Sequence, residues 1–265
     1  MKKKLKKIFL KPFLFFKTSG QVLSISWNEL GRLKIIIALK CMFRYIWFGI
    51  ILRRTKSFDK NISGEKVGSH TIDHNFKALS LYAVNSYSGF RPEKLIQPLA
   101  IFDKNFKKNA KVLFIGPRAE SELFLAKSYG FSWKNLVGLD LISYSPKVEL
   151  GDMHDMSFGD NTFDIVIMGW VITYSQTPKI AMSEVVRVLK PGGYCSVGAE
   201  HNPMSIEEIK SKKGYIPGAD FKTKSCEEIK ALYGDNMHRV IYEHDITTYN
   251  PEVKGDLVSV VQIKK

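Results

Sequence analysis

The sequence of 265 residues contains few cysteines, and those it has are not arranged for a structural role. Cys41, Cys195 and Cys226 are odd in number and show no CxxC spacing. This pattern argues against a disulfide framework and a zinc site, so we expect three reduced thiols in a cytoplasmic protein. His70 and His74 are four residues apart but lack a neighbouring carboxylate pattern. We therefore predict that the protein has no metal site.

Acidic residues are almost missing from the first quarter of the chain. Residues 1–66 contain 16 Lys and Arg against 3 Asp and Glu, whereas residues 67–265 contain 24 against 23. The net charge of +14 is therefore concentrated in the N-terminal part. We interpret residues 1–66 as a basic extension with a polar linker, and residues 67–265 as a nearly neutral globular domain.

An uncharged apolar run long enough to cross a bilayer is also missing from this extension. Residues 33–52 form an apolar run of 20 residues, long enough to cross a bilayer, but Lys34, Lys40 and Arg44 interrupt it. A charge at the centre of a membrane-spanning helix costs about 2.5–3.5 kcal/mol. The run therefore suits either a helix lying in the headgroup layer or a helix packed on the globular domain. In the first case, Lys40 and Arg44 would form a polar stripe that reaches lipid phosphates.

We favour the membrane surface as the partner of this extension. Residues 2–17 read KKKLKKIFLKPFLFFK, so lysines and aromatic rings occur in both apolar runs. These early lysines also argue against a cleaved signal peptide. We expect residues 2–54 to contact an anionic membrane and the protein to be peripheral to its inner face. Nucleic acid also attracts lysine, but the Phe and Ile content fits lipid better and no base-stacking motif is present.

Beyond residue 110 short apolar strands alternate with helices. Strands are predicted at 111–116, 136–142, 148–150, 163–169, 194–199, 239–246 and 256–263, and helices at 119–129, 177–190 and 225–233. Two earlier helices are predicted between His70 and Phe106, the second starting at Pro92. Thr177 is expected to cap its helix and residues 191–193 to end it. The last two strands are too close for a helical crossover, so they must pair antiparallel if adjacent. The pattern predicts an α/β fold: a Rossmann-like doubly wound, mostly parallel seven-stranded sheet with an antiparallel last strand, plus the basic helical extension.

Three segments of this domain resemble class I S-adenosylmethionine-dependent methyltransferases: GLD at 138–140, GDMHDMSFGDNTFDIVIM at 151–168 and RVLKPGG at 187–193. The resemblance covers residues 106–265 and implies S-adenosylmethionine as the cofactor. It implies that Asp140 accepts hydrogen bonds from the ribose hydroxyls. Asp152 would accept the adenine amino group, and Met153 would contact the purine. Gly169, with Trp170 beside it, lies where this family brings cofactor and substrate together.

The first loop departs from the family pattern. The family has acid-x-Gly-x-Gly-x-Gly, whereas these positions are Phe114, Gly116, Arg118 and Glu120 in this chain. Either Arg118 pairs with the methionine carboxylate of the cofactor and Glu120 with its ammonium group, or the bulky side chains block the pocket. Glu120 also suits the first turn of a helix for electrostatic reasons alone. We favour retained cofactor binding, because both acids of the nucleoside site are present.

These features predict a methyltransferase that acts at or near a membrane on a small-molecule or lipid-linked acceptor, with a non-catalytic binding or scaffold protein as the alternative. The basic segment 210–224 is either a lid over an anionic acceptor, such as a lipid headgroup or phosphosugar, or an ordinary loop. His154, Glu200 and His201 lie near strand ends and are candidates for a catalytic base, but no residue identifies itself as one.

Overall fold

The computed structural model describes residues 32–57, 91–117, 119–213 and 223–265. The helices are α1 (Arg32–Arg44), α2 (Arg91–Ile96), α3 (Lys104–Asn109), α4 (Ser121–Ser128), α5 (Pro178–Val188), α6 (Ile206–Lys213) and α7 (Cys226–Ala231). The strands are β1 (Lys56–Ser57), β2 (Val112–Ile115), β3 (Leu136–Asp140), β4 (Ile142–Ser143), β5 (Val148–Leu150), β6 (Phe163–Gly169), β7 (Leu189–His201), β8 (Met237–Asp245) and β9 (Gly255–Ile263). A π-helical segment, Tyr45–Ile51, extends α1, and a 3-10 segment, Gln97–Ile101, follows α2.

The described residues form a seven-stranded sheet in the order β5-β3-β2-β6-β7-β9-β8. β5, β3, β2, β6 and β7 run parallel, and β9 runs antiparallel to both of its neighbours. The predicted fold class is therefore confirmed. β2 and β6 are almost entirely apolar because they are central strands that need cover on both faces.

The apolar core lies in two layers, one on each face of the sheet. On one face Ala181, Val185 and Val188 of α5 are fully buried, as their helical spacing predicts. On the other face Leu95 and Leu99 are fully buried and pack with residues of α4 and the sheet. Burying these side chains supplies the main favourable contribution to the free energy of folding. It also fixes which ends of the strands form a common edge.

Two local predictions around α5 were wrong. Thr177 makes no side-chain capping bond, and its amide instead donates to Ser175 Oγ at 3.1 Å. The helix ends at Val188, before residues 191–193, which lie within β7. Strand pairing decides this boundary, because Leu189 already lies opposite Phe163 in the sheet. Predictions on residues 2–17, on a helix beginning near His70, on Arg118 and on residues 214–222 of the candidate lid lie outside the described residues.

One face of α1 and its π-helical extension packs on the globular domain. Ile37 and Cys41 are buried against Phe124 of α4. Further along, Tyr45 and Phe48 contact a small cluster that includes Tyr144. The run at 33–52 is therefore a docked helix on this face, which is the second of the two interpretations above.

The opposite face of this helix is apolar and exposed. Its large side chains are between 43% and 63% exposed at Ile36, Leu39, Phe43, Trp47, Ile50, Ile51 and Leu52. We call these seven residues the apolar stripe. Lys40, Arg53 and Arg54 are exposed beside it, whereas Arg44 points inward, so the expected outward stripe of Lys40 and Arg44 was wrong. Within the described part of the chain, we find no helix whose length and hydropathy would let it span a bilayer.

Candidate functional site

Strand register brings four of the predicted site residues to one edge of the sheet. Ile115 of β2 lies opposite Leu139 of β3 and Met168 of β6. The next residues along these strands, Gly116, Asp140 and Gly169, therefore lie level with one another. Asp140 in turn lies opposite Leu150 of β5, which places Asp152 just beyond the same edge. In parallel sheets this carboxyl edge is where ligands bind.

The turn after β2 requires glycine at position 116. Gly116 has φ +75°, in the left-handed region that residues with a Cβ avoid. A Cβ there would lie 2.1 Å from Cγ1 of Val171 in the turn after β6. The Gly116 amide donates to the Leu139 carbonyl of β3 at 2.8 Å. The turn is therefore held between β3 on one side and the turn after β6 on the other. This glycine of the family pattern is therefore structurally necessary here.

Asp140 ends β3 with a buried carboxylate, only 6% exposed. Its Oδ1 accepts the Ile142 amide at 3.1 Å, and its carbonyl accepts the Gly151 amide at 3.0 Å. These bonds orient the side chain at the strand end and tie the loop that carries Asp152 to β3. A buried carboxylate is costly unless hydrogen bonds compensate it, so this position suits an acceptor of ligand hydroxyls.

Asp152 begins a buried hydrogen-bonded chain of three side chains. Its Oδ1 lies 2.9 Å from the His154 amide and 2.5 Å from His154 Nδ1. On the other side of the ring, His154 Nε2 lies 2.6 Å from Ser175 Oγ. All three residues are at most 5% exposed. Met153, which lies between them in sequence, is buried in the core cluster at 9% exposure.

Glu120 is fully buried, and its carboxylate faces other protein side chains. Arg44 Nη2 donates to Glu120 Oε1 at 2.7 Å, and Arg44 Nε donates to Oε2. Ser145 Oγ also donates to Oε1. The hydrogen bond to Glu120 raises the pKa of Arg44. The predicted partner of this carboxylate was the cofactor ammonium, but both of its oxygens already accept hydrogen bonds from the chain.

At the end of β6, Gly169 has neighbours at ordinary van der Waals distance, and one of them is an acid. A Cβ on Gly169 would meet nothing closer than Leu95 Cδ1 at 3.6 Å and Glu122 Oε2 at 3.7 Å. Trp170 follows with φ +56°, a strained conformation for a residue with a side chain. The Arg91 guanidinium lies 5.3 Å from the centre of its indole ring. Backbone strain of this kind concentrates at functional sites.

The three candidates for a catalytic base all have protein partners. His154 holds Asp152 and Ser175, as described. Glu200 pairs with Arg91 and with Lys254, the latter at 2.8 Å. His201 Nε2 lies 2.7 Å from the Pro251 carbonyl. Among the described residues, no group of three or more His, Cys, Asp or Glu side chains has the arrangement of a metal site.

Sequence reasoning missed the residues whose importance arises from packing. Arg44 and Ser145 meet Glu120 across long separations in sequence, and no local pattern signals this contact. Ser175 lies 21 residues from His154 and is likewise brought close only by the fold. Glu122 carried a weak signal, since it is an acid in the first turn of a helix that follows the cofactor loop.

Residues 124–197, from α4 to β7, match a family model described as "Methyltransferase domain". A demethylmenaquinone methyltransferase from Symbiobacterium thermophilum is 48% identical over 46 residues, covering 17% of this chain and 18% of the relative. A demethylmenaquinone methyltransferase from Staphylococcus carnosus is 29% identical over 143 residues, covering 49% of this chain and 58% of the relative. The chain thus spans less than two thirds of the length of these curated relatives.

Solved structures share the fold at low sequence identity. A Haloferax volcanii methyltransferase protein in complex with the activator Trm112 superimposes with a TM-score of 0.51 at 15% identity, covering 72% of this chain and 97% of that one. The PH0226 protein from Pyrococcus horikoshii gives a TM-score of 0.50 at 20% identity, covering 68% and 93%. With the matched segment and the strand order, this likeness shows that the chain contains a segment similar to the methyltransferase domain and has the Rossmann-like fold of class I S-adenosylmethionine-dependent methyltransferases.

Proposed function

We propose that the protein transfers a methyl group from S-adenosylmethionine to an acceptor carried at an anionic membrane surface. The observation that supports the transfer most strongly is the strand register. It brings Gly116, Asp140, Asp152 and Gly169 to one edge in the order that the family uses. Three parallel strand pairings must all be correct for these four residues to lie at one edge. The chance occurrence of single matching residues in the sequence does not explain this arrangement.

The chemistry of these side chains fits the cofactor. Asp140 and Asp152 are buried carboxylates at neighbouring loop starts, and each is oriented by backbone amides. Carboxylates accept hydrogen bonds from hydroxyl and amino groups, which are the donors of a ribose and an adenine. Gly169 has room for a Cβ atom without a clash, and the family places the reacting centre at this position. Glu122, beside this position, carries the negative charge suited to an ammonium group.

When bound, S-adenosylmethionine supplies an electrophilic methyl group on a sulfonium. The chain contributes mainly orientation, which is the main source of catalysis in an in-line displacement. In this proposal Asp140 and Asp152 fix the nucleoside, and the Gly116 turn holds the first loop against β6. Trp170 and Arg91 form one side of the acceptor position. We assign none of the three base candidates a proton-transfer role, because each is held by other groups of the protein.

Membrane action is supported by the apolar stripe on α1 and its extension. A helix packed on a globular domain normally presents polar side chains to water, but this one presents Phe43 and Trp47 among aliphatic residues. Exposed Lys40, Arg53 and Arg54 flank the stripe and would meet anionic headgroups. An apolar face bordered by cations matches the interface of an acidic leaflet. The N-terminal net charge favours the same partner.

The acceptor in this proposal is a small lipid-borne molecule. Two curated relatives are named as demethylmenaquinone methyltransferases, and a methyltransferase docked by the apolar stripe would reach acceptors that reside in the bilayer. Trp170, whose ring lies 5.3 Å from the Arg91 guanidinium, suits an acceptor with an aromatic part. Membrane docking would then concentrate the enzyme where its substrate lies.

Calorimetric titration with S-adenosylhomocysteine tests the cofactor site. We expect saturable binding by the wild type and a loss of about tenfold or more in the Asp140→Asn and Asp152→Asn variants, because hydrogen bonds to a charged acceptor are worth about 1.5–3 kcal/mol. Asp164→Asn is the matched control. This acid lies at the opposite edge of the sheet and binds the Lys111 amide and Lys190. Its replacement should leave the affinity unchanged.

The same titration also distinguishes a methyltransferase from a non-catalytic binding or scaffold protein. Folded wild-type protein that binds anionic vesicles but not S-adenosylhomocysteine would contradict the methyltransferase proposal and favour the non-catalytic alternative. One observation gives this alternative weight: Glu120 puts a charged, buried side chain at a position where the family has glycine.

A further inference from the structure

The pair formed by Arg44 and Glu120 joins the N-terminal helix to the first loop of the methyltransferase domain. The guanidinium uses two nitrogens on two carboxylate oxygens, which is the bidentate arrangement that fixes both side chains. The Glu120 side chain is fully buried, and the Arg44 side chain is 25% exposed. A buried carboxylate that loses its cation is strongly unfavourable, so the position of Glu120 depends on Arg44.

Arg44 is itself held in place by its surroundings. Its guanidinium lies 4.8 Å from the ring centre of Phe48 and 5.7 Å from that of Trp133. One turn earlier, Cys41 is fully buried against Phe124. The helix therefore presents the guanidinium to the loop as part of a packed interface, whereas a solvated arginine would sample many positions.

Glu120 occupies the junction at which this interface can influence the cofactor site. It lies four residues after Gly116 and immediately before α4, and its carbonyl accepts the Phe124 amide at 2.9 Å. Ser145, its third partner, belongs to the turn that follows β4, five residues after Asp140. A single carboxylate thus connects α1, the first loop and the segment after Asp140.

We propose that Arg44, outside the segment that matches the methyltransferase family model, is a positioning residue for the cofactor site: through Glu120 it holds the first loop in the shape that receives S-adenosylmethionine. This inference rests on the proposed function. In this protein the ion pair would determine the shape of the first loop, whereas glycines do so in the class I methyltransferase family. It also makes the docked α1 helix a component of cofactor binding.

The test combines affinity with local hydrogen exchange. Arg44→Gln should weaken S-adenosylhomocysteine binding by roughly tenfold or more and speed amide exchange across residues 116–124, since a loose supporting contact degrades a site it does not touch. Arg44→Lys, which keeps the charge but not the bidentate geometry, should recover part of both effects. Arg53→Gln is the matched control, because it removes an exposed cation just after the same helical segment and should change neither readout.

Each outcome discriminates. If the wild type binds and folded Arg44→Gln binds equally well, the positioning role is overturned and the proposed function stands. If the wild type itself shows no binding, the proposed function fails and this inference fails with it. If Arg44→Gln does not fold, the test uses Arg44→Lys and the double variant Arg44→Gln/Glu120→Gln, which removes both charges. Folded protein with wild-type affinity in either variant overturns the inference, and weakened affinity with faster loop exchange supports it.

Discussion

His154 Nδ1 lies 2.5 Å from Asp152 Oδ1, so a buried imidazole ring orients the carboxylate that the proposed function assigns to adenine. An ionised carboxylate only accepts hydrogen bonds, so Nδ1 carries the proton. In the neutral ring, Nε2 then accepts from the Ser175 hydroxyl, which itself accepts the Thr177 amide at 3.1 Å. The chain of bonds links the loop after β5 to the start of α5. His154 therefore has a structural task that explains its burial without a role as a base.

Replacing this ring should affect stability and cofactor affinity together. His154→Ala removes the side-chain hydrogen bonds that the ring makes with Asp152 and Ser175, and each buried hydrogen bond lost costs about 1–3 kcal/mol. We expect a lower midpoint of urea unfolding and weaker binding of S-adenosylhomocysteine. His201→Ala is the control, since that buried ring bonds a single group, the carbonyl of the exposed Pro251. Equal effects of the two substitutions would contradict the assignment.

The apolar stripe should determine membrane binding. Replacing Phe43 and Trp47 with Gln should weaken partitioning onto anionic vesicles by about tenfold or more, because about 100 Å² of apolar surface at about 25 cal/mol per Å² corresponds to about 2.5 kcal/mol. Vesicle flotation measures the effect, and high salt should reduce binding of both proteins. Ile101→Gln is the control, since Ile101 is 74% exposed outside the stripe. Unchanged flotation of the double variant would refute membrane contact by this face.

Acid should remove the contribution of the pair formed by Glu184 and Arg187. Hydrogen bonds from Arg187 lower the pKa of Glu184 below its usual 4.5, despite the opposing effect of burial. The stabilisation is therefore complete above the unfolded pKa and is lost as the pH falls through the lower folded value. Glu184→Gln should be less stable than wild type at pH 7, by about 1–3 kcal/mol, and the difference should shrink below about pH 4.5.

Chemical denaturation at several pH values measures this difference. Glu227→Gln is its control, because Glu227 pairs with Lys230 but is 79% exposed, and such surface pairs contribute little. A difference between Glu184→Gln and wild type that stays constant down to pH 3 would show that the carboxylate is not responsible.

The cysteines should be unreactive in the folded protein. Burial raises the pKa of Cys195 to about 12, and burial followed by the charge of Asp245 raises that of Cys226 to about 12. Burial also raises the pKa of Cys41. Because the thiolate is the reactive form, a thiol reagent at pH 8 should label almost none of the three in native protein and all three in guanidinium. Rapid labelling of Cys195 in folded protein would contradict the packing of β7.

Adding a methyl group at Gly116 should disrupt the turn after β2. Gly116→Ala combines a left-handed φ of +75° with a Cβ 2.1 Å from Val171 Cγ1. We expect a loss of about 2–4 kcal/mol in unfolding free energy, measured in urea. The companion change Val171→Ala removes the clash but not the backbone strain, so the double variant should recover only part of the loss. Full recovery would show that strain is unimportant here.

The fold could be predicted from the sequence because its signals are local. The apolar segment 163–169 predicted β6 at its observed bounds, and Pro178 predicted the start of α5. The antiparallel pairing of β8 with β9 followed from the short connection between them. Asp164 of β6 has a structural role, since it accepts the Lys111 amide at 2.8 Å. Where strand pairing overrode local turn chemistry, at residues 191–193, the prediction failed.

The candidate site could be predicted only in part. Asp140 and Asp152 stand at strand ends that sequence patterns locate well, whereas their protein partners depend on tertiary packing. The partners of Glu120 come from positions 76 residues before it and 25 after it, and no local rule reveals such contacts. From the sequence alone, Glu120 in place of glycine is either a residue that binds the cofactor or one that blocks its pocket. In the structure it instead forms an ion pair with Arg44 of α1, which lies outside the segment that matches the family model.

The docking of α1 has a practical consequence for any shortened form of the protein. A chain cut at residue 67, where the composition changes, would keep every strand of the large sheet yet lose the counterion of Glu120. It would also uncover Phe124 and Tyr144, which now lie beneath the helix. We expect such a fragment to aggregate, because the helix α1 lies in the basic N-terminal part of the sequence but folds together with the domain that follows it.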